Sequence, residues 1–264
     1  MHSFLRGLVG PLHISHRGGS GLFPENTLYA FRQAVERYRT DMLELDVRAT
    51  TDGEVVVFHD ATLERCTDGE GPLEALAYSQ LEGLDAAFHF HPVEGAPGLM
   101  MRGEGVRIPR FVEVLDEFPR LRFNVEVKSR AALEPFVRLL RRRPGELERL
   151  CIGSELDELG VALSDALPDA CHFYPANALG AFIMSVHAET LEDDPRYSVL
   201  DMPLSWEGLT VFNETVAAVA KANHKWVNIW TVDDAPSMRQ AIAEGVGGIM
   251  TDRPDVLRAV LDGR

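Results

Sequence analysis

Short apolar, β-branched runs alternate with amphipathic stretches along almost the whole chain, and this alternation restricts the fold more than any other feature. The first run is Leu12 to Ser15. A helix begins after Pro24, with Leu28, Phe31, Ala34 and Val35 at helical spacing. The runs Met42 to Ala49 and Val55 to Phe58 follow, separated by Thr51-Asp52-Gly53-Glu54, which is too short for a parallel crossover and reads as a hairpin. With Asp52 and Gly53 as the turn, Thr51 faces Glu54 and Asp46 lies opposite His59. After a helix at Phe111 to Phe118, strands are expected at Leu121 to Val127, Leu150 to Gly153, Ala170 to Tyr174, Ser198 to Met202, Trp226 to Val232 and Val246 to Thr251. Helices are expected between and after them, at Ala132 to Arg142, Leu156 to Leu167, Ala178 to His187, Glu214 to Asn223, Ser237 to Glu244 and Pro254 to Leu261. Setting aside the hairpin's return strand, eight strands are each followed by a helix, the pattern of an α/β chain closing a single (β/α)8 TIM barrel.

The length of 264 residues suits one such barrel, which needs roughly 250. Residues 61–107, rich in glycine and proline with a short helix at Tyr78 to Leu84, read as a small insertion over the active-site mouth rather than a second domain. Acidic residues outnumber basic ones, 41 to 26, for a net charge of −15, which argues against nucleic acid or a stable membrane association. Cys66, Cys151 and Cys171 show no CxxC spacing, so neither a disulfide framework nor a zinc site is expected. With no signal-peptide pattern and no membrane-length apolar run, a cytoplasmic location is expected.

Catalytic groups of such barrels cluster at the C-terminal ends of the strands. Those ends carry Ser15-His16-Arg17-Gly18, Glu44-Leu45-Asp46, His59-Asp60, Asn124-Val125-Glu126-Val127-Lys128, Trp230-Thr231 and Thr251-Asp252. Side chains two apart on a strand share a face, so Glu44 and Asp46 point together, as do Asn124, Glu126 and Lys128. Leu45, Val125 and Val127 suit the helix-facing side, which turns the charged set toward the barrel axis. Three confined carboxylates need a cation, and oxygen ligands suit Mg2+ or Ca2+. The bland alternative is buried pairing with Arg17, Arg48 or Lys128. His16 and His59 suit acid–base work near neutral pH. Arg17 and Lys128 offer charge to an anion. A phosphate ester fits this inventory. His89 and His91 read as local packing, and His2, His13, His172, His187 and His224 as incidental.

In this order, His16-Arg17-Gly18, Pro24-Glu25-Asn26-Thr27, Glu44-Leu45-Asp46-Val47, Thr51-Asp52-Gly53, His59-Asp60, Leu63-Glu64-Arg65, Asn124 to Lys128, Trp230-Thr231-Val232 and Thr251-Asp252-Arg253-Pro254 resemble the glycerophosphodiester phosphodiesterases nearly end to end. The resemblance implies a barrel hydrolase that releases sn-glycerol 3-phosphate and an alcohol from a small glycerophosphodiester. It implies Glu44, Asp46 and Glu126 as ligands of one divalent cation, His16 and His59 as the acid–base pair, Arg17 and Lys128 as phosphate contacts, and Trp230 in the substrate pocket. Departures from the family pattern fall at Ser154-Glu155, Gly247-Gly248 and Pro109-Arg110. Two other readings are a lysophospholipase D or sphingomyelinase-D-like activity, with Phe88, Phe90 and Leu99-Met100 supplying an apolar channel, and a non-catalytic barrel that binds phosphate esters. The glycines flanking that channel and the acidic surface favour the small soluble substrate.

Overall fold

The computed structural model describes residues 2–263. Its strands are β1 (Leu12–Ser15), β2 (Met42–Ala49), β3 (Val55–Val57), β4 (Arg122–Val127), β5 (Leu150–Gly153), β6 (Cys171–His172), β7 (Val199–Met202), β8 (Ser205–Trp206), β9 (Leu209–Thr210), β10 (Trp226–Ile229) and β11 (Gly248–Thr251). Its α-helices are α1 (Leu28–Tyr38), α2 (Tyr78–Leu81), α3 (Phe111–Glu117), α4 (Arg130–Arg142), α5 (Asp157–Ala166), α6 (Ala176–His187), α7 (Glu214–Ala222), α8 (Ala235–Ala243) and α9 (Pro254–Leu261). Eight parallel strands pair in the order β6-β5-β4-β2-β1-β11-β10-β7, and a parallel bridge from Phe173 to Val199 joins the two edges. The expected α/β barrel is therefore the observed architecture.

The two-residue alternation sorts each strand into an inner and an outer face. Leu43, Leu45, Val47, Phe123, Val125 and Val127 face outward and pack against Phe136, Val137 and Leu140 of α4 and Phe111 of α3. Each fully buried side chain of that size contributes roughly 1.5–3 kcal/mol. On the inside, Leu12, Ile14, Met42, Cys151, Cys171, Val199 and Met250 fill the lower barrel, closed by Phe4 and Leu5 from the N-terminal turn. Above them the lining turns polar. Asp201 on β7 accepts from Asn124 Nδ2 at 2.7 Å and Asn228 Nδ2 at 2.8 Å, and Asn228 accepts from Trp226 Nε1 at 2.9 Å. The apolar plug thus ends under a hydrogen-bonded layer, and the charged cluster sits on top of it.

Helix boundaries follow caps. The side chain of Ser129 accepts from Ala132 N, so α4 starts two residues before the apolar pattern suggests. Thr27 caps α1 in the same way. Strand β10 stops at Ile229, three residues short of expectation.

Two expectations need correction. The hairpin pairs Val47 with Val57 and Ala49 with Val55, so the register is one residue off the expected one, and Asp46 accepts from Phe58 N rather than lying opposite His59. Thr50 causes the shift. Its backbone pairs with Glu54 and its Oγ1 accepts from Glu54 N at 3.0 Å, leaving a three-residue loop closed by Gly53 at φ 79°. The second concerns residues 61–107. Leu63, Leu73, Tyr78, Leu81, Val106 and Ile108 form a small core against Val56 and Phe58, beside the β2–β3 hairpin. No residue of 61–107 is among those lining the cavity above the strand ends, although Arg65 pairs with Asp60 and Glu25 beside it. Among the described residues, no helix is long and apolar enough to cross a membrane.

Candidate active site

Register brings the acids together. Glu44 of β2 lies beside Asn124 of β4, and Asp46 beside Glu126. Lys128, just past β4, places Nζ 2.9 Å from Glu126 and 3.8 Å from Asp46. Arg17, in the left-handed region at φ 50°, turns its backbone N–H onto Glu44 at 2.9 Å. Its guanidinium reaches Glu25 at 3.1 Å and Asp46 at 3.2 Å, yet its buried Nε, although close to Asp46, has no aligned hydrogen-bond acceptor. Asn26 donates to Asp46 at 2.9 Å. Arg48, the third candidate partner, turns away to the His59 carbonyl and Glu74.

The two imidazoles are held alike. His16 Nδ1 lies 2.6 Å from Asp252 Oδ1, which Ser20 also donates to, and His59 Nδ1 lies 2.6 Å from Asp60. A carboxylate at Nδ1 fixes that nitrogen as the donor and leaves Nε2 for the cavity, where His16 Nε2 is 3.7 Å from Glu44. Arg65 in turn bridges Asp60 and Glu25. Sequence reasoning placed Asp60, Asn26, Glu25 and Asp252 in motifs but assigned them no role. The signal for Asp60 and Asp252 was position, Asp60 following His59 directly and Asp252 following β11, whereas Glu25 and Asn26 lie just before α1, away from any strand end.

Electrostatics follows from burial and crowding. Burial and the nearby Asp46 push Glu44 up to about 8. Burial, partly offset by Lys128, raises Glu126 to about 7. Asp46 stays low despite burial, because Arg17, His59 and Lys128 surround it. Burial opposes charge on His16, but Glu44 and Asp252 outweigh it and raise it to about 9. Burial lowers His59.

A cation fits this donor set, with one qualification. Among the described residues, no three His, Cys, Asp or Glu side chains close around a common point. Glu44, Asp46 and Glu126 share one barrel end, but each has turned to its own partner: the Arg17 backbone, the Arg17 and Lys128 side chains, or Lys128 alone. The cluster nevertheless holds six carboxylates, Glu25, Glu44, Asp46, Asp60, Glu126 and Asp252, against the fixed cations Arg17, Arg65 and Lys128. Two carboxyls raised by crowding and an all-oxygen donor set match a hard divalent ion.

A cavity of about 920 Å3 opens above the cluster, and all eight residues singled out from the sequence line it, Trp230 among them. No residue from Asp60 to Phe123 does, so Phe88, Phe90, Leu99 and Met100 form no channel to it. The far wall comes instead from α6 and the β8–β9 hairpin, which the sequence pattern did not reveal. Of the histidines set aside, His187 lines the cavity. His13 and His172 are structural: each is buried, bonded to the Pro254 carbonyl and to the Leu167 and Ile152 carbonyls respectively.

A parallel barrel presenting acids, carboxylate-held imidazoles and two cations at one mouth defines a phosphoric diester hydrolase. The model of the glycerophosphoryl diester phosphodiesterase family matches residues 16–256, and the chain belongs to that family. It is 32% identical over 256 residues to a glycerophosphodiester phosphodiesterase of Caldanaerobacter subterraneus subsp. tengcongensis, covering 93% of this chain and 96% of that protein. A Bacillus subtilis glycerophosphodiester phosphodiesterase is 26% identical over 268 residues, covering 96% and 87%. Among solved structures, the glycerophosphoryl diester phosphodiesterase domain of a Mycobacterium tuberculosis protein superposes with a TM-score of 0.83 at 20% identity, covering 97% of this chain and all of that one. An Oleispira antarctica phosphodiesterase in complex with the product sn-glycerol-3-phosphate superposes with a TM-score of 0.74 at 22% identity, each chain 97% covered. At these identities the two structures show the common fold.

Proposed function

We propose that the protein hydrolyses glycerophosphodiesters to sn-glycerol 3-phosphate and an alcohol, with His16 and His59 exchanging the protons. The observation that carries the reading is two imidazoles, each held at Nδ1 by its own aspartate, flanking buried carboxylates in one cavity. Arg17 and Lys128 supply the positive charge that a phosphoryl group needs, and Trp230 walls the substrate. Glu44, Asp46 and Glu126 would hold Mg2+ or Ca2+, which would neutralise developing charge on phosphate oxygens.

Two imidazoles suit a two-step course. A glycerol hydroxyl of the substrate attacks phosphorus, its proton passes to one imidazole, and the other imidazole protonates the departing alkoxide as the P–O bond breaks. The imidazoles then exchange roles as water opens the resulting cyclic phosphate. The test is choline release from glycerophosphocholine with Mg2+, Ca2+ or EDTA. Metal-dependent release that His16→Ala or His59→Ala lowers by about 10²–10⁴-fold is expected. Full activity in EDTA, or in either variant, would refute the reading.

A further inference from the structure

The two imidazoles of the cavity are not secured equally. Asp252, which holds His16, is itself fixed: Ser20 donates to its carboxylate, and its own backbone N–H is bonded to Asp233 at 2.8 Å. Asp60, which holds His59, is merely the next residue along the chain, beyond the end of β3. Among the described residues, its one other side-chain partner is Arg65. Arg65 meets Asp60 with two donors, Nε to Oδ2 at 2.5 Å and Nη2 to Oδ1 at 2.9 Å, and meets Glu25 through Nη1 at 2.7 Å and Nη2 at 2.8 Å. A planar guanidinium can fork onto two carboxylates at once, which an ammonium cannot. Glu25 also takes Arg17 at 3.1 Å, so a run of alternating charge, Arg17–Glu25–Arg65–Asp60–His59, ties a phosphate contact to an imidazole.

We propose that Arg65 is a positioning residue for the reaction: anchored by Glu25, it clamps Asp60 so that Asp60 keeps the His59 imidazole with Nε2 turned to the cavity. The proposal rests on the phosphodiesterase reading, and it gives residues 61–107 a role behind the mouth instead of over it. Leu63 is buried in the small core of that segment, its N–H is bonded to the Gly71 carbonyl at 3.1 Å, and Thr67 Oγ1 donates to its carbonyl at 2.9 Å. Arg65 sits in the middle of this pinned turn, so a rigid base carries the guanidinium to the strand ends. Its side chain is 48% exposed, and an exposed ion pair adds little to stability. A clamp with four contacts at such a place serves position more than fold. It also holds the Asp60 carboxyl down to about 2, so the group facing the imidazole stays charged.

The test has two parts. In the first, kcat on glycerophosphocholine at saturating metal is compared for Arg65→Ala, Asp60→Asn and the double variant, each beside a thermal melt. Arg65→Ala should melt close to wild type yet lose about 10- to 100-fold in kcat. Because Arg65 acts through Asp60, the losses should not add: the double variant should lie within a few-fold of the worse single one. A stable Arg65→Ala variant within twofold of wild-type kcat, or losses that add, overturns the proposal. Arg65→Lys covers the case in which the alanine variant fails to fold. It keeps the charge but not the fork and should lose most of the same activity, and wild-type kcat in it overturns the proposal equally. In the second part, the imidazole nitrogens are followed by NMR at about pH 8, where His59, its pKa lowered by burial, is neutral. His59 should hold the Nδ1–H tautomer in the wild type and become a mixture of tautomers in the Arg65 variants. An unchanged tautomer in the variants sinks the proposal, whatever the activity. A changed tautomer beside a wild type that turns over no glycerophosphocholine upholds the placement of His59 by Arg65 and sinks the phosphodiesterase reading instead.

Discussion

Asp252 is not among the residues lining the cavity, yet its replacement by Asn should cripple turnover. His16 Nδ1 donates to Asp252 Oδ1 at 2.6 Å, and the raised pKa of this buried imidazole rests on Asp252 together with Glu44. Asn keeps the shape and one acceptor oxygen but removes the charge, and its amide can equally present a donor to Nδ1 and reverse the tautomer. A hydrogen bond to a charged group is worth about 1.5–3 kcal/mol net, so its loss from the reacting state corresponds to roughly 10- to 150-fold in rate. The loss should appear in kcat, with KM for glycerophosphocholine little changed, because the phosphate contacts are intact. Steady-state kinetics at saturating metal, beside a thermal melt, separates the causes. Asp252 also accepts from Ser20, so a variant that melts well below wild type would indicate a loosened loop after β1. A stable Asp252→Asn variant within twofold of wild-type kcat would refute the claim that this carboxylate orients and charges the imidazole.

Glu126→Gln should lose most turnover and weaken metal binding by isothermal titration while the far-ultraviolet spectrum stays unchanged; near-wild-type metal affinity would exclude it as a ligand. Asp201 is raised to about 6 by burial, above its ordinary value near 4, so the folded state takes up a proton that the unfolded chain releases. Stability measured by urea unfolding should therefore fall as pH rises from about 4 to about 6 through this group, and that component of the slope should vanish in Asp201→Asn. Phe136→Ala should cost about 3–5 kcal/mol in the same assay, since the ring is fully buried against Phe111 at 5.6 Å between centroids. Thr27→Ala should cost about 1 kcal/mol, because its Oγ1 caps α1 by accepting from Ala30 N at 3.1 Å.

Much of the fold could be read from periodicity. Leu150 to Gly153 and Pro254 to Leu261 fall where expected, because their ends coincide with the ends of the apolar pattern. Where a side chain closes the backbone, the pattern misleads: Ser129 starts α4 early, and Thr50 moves the hairpin by one residue. Asp201 was legible in principle, as a charge at the inward position of Val199-Leu200-Asp201-Met202, but only once the strand's facing was known.

By itself, the order of residues determined the barrel and the end of it where the charges gather, since both follow from alternation along single strands, a local property of the backbone. It also held the ordered motifs that place the chain in its family. The tertiary structure alone decided which aspartate holds which histidine, that the carboxylates turn to Arg17 and Lys128, and that α6 and a two-stranded hairpin, not residues 61–107, wall the far side of the cavity. These are contacts between segments as far apart as His16 and Asp252, set by barrel closure and side-chain packing, and no periodicity along the chain encodes them.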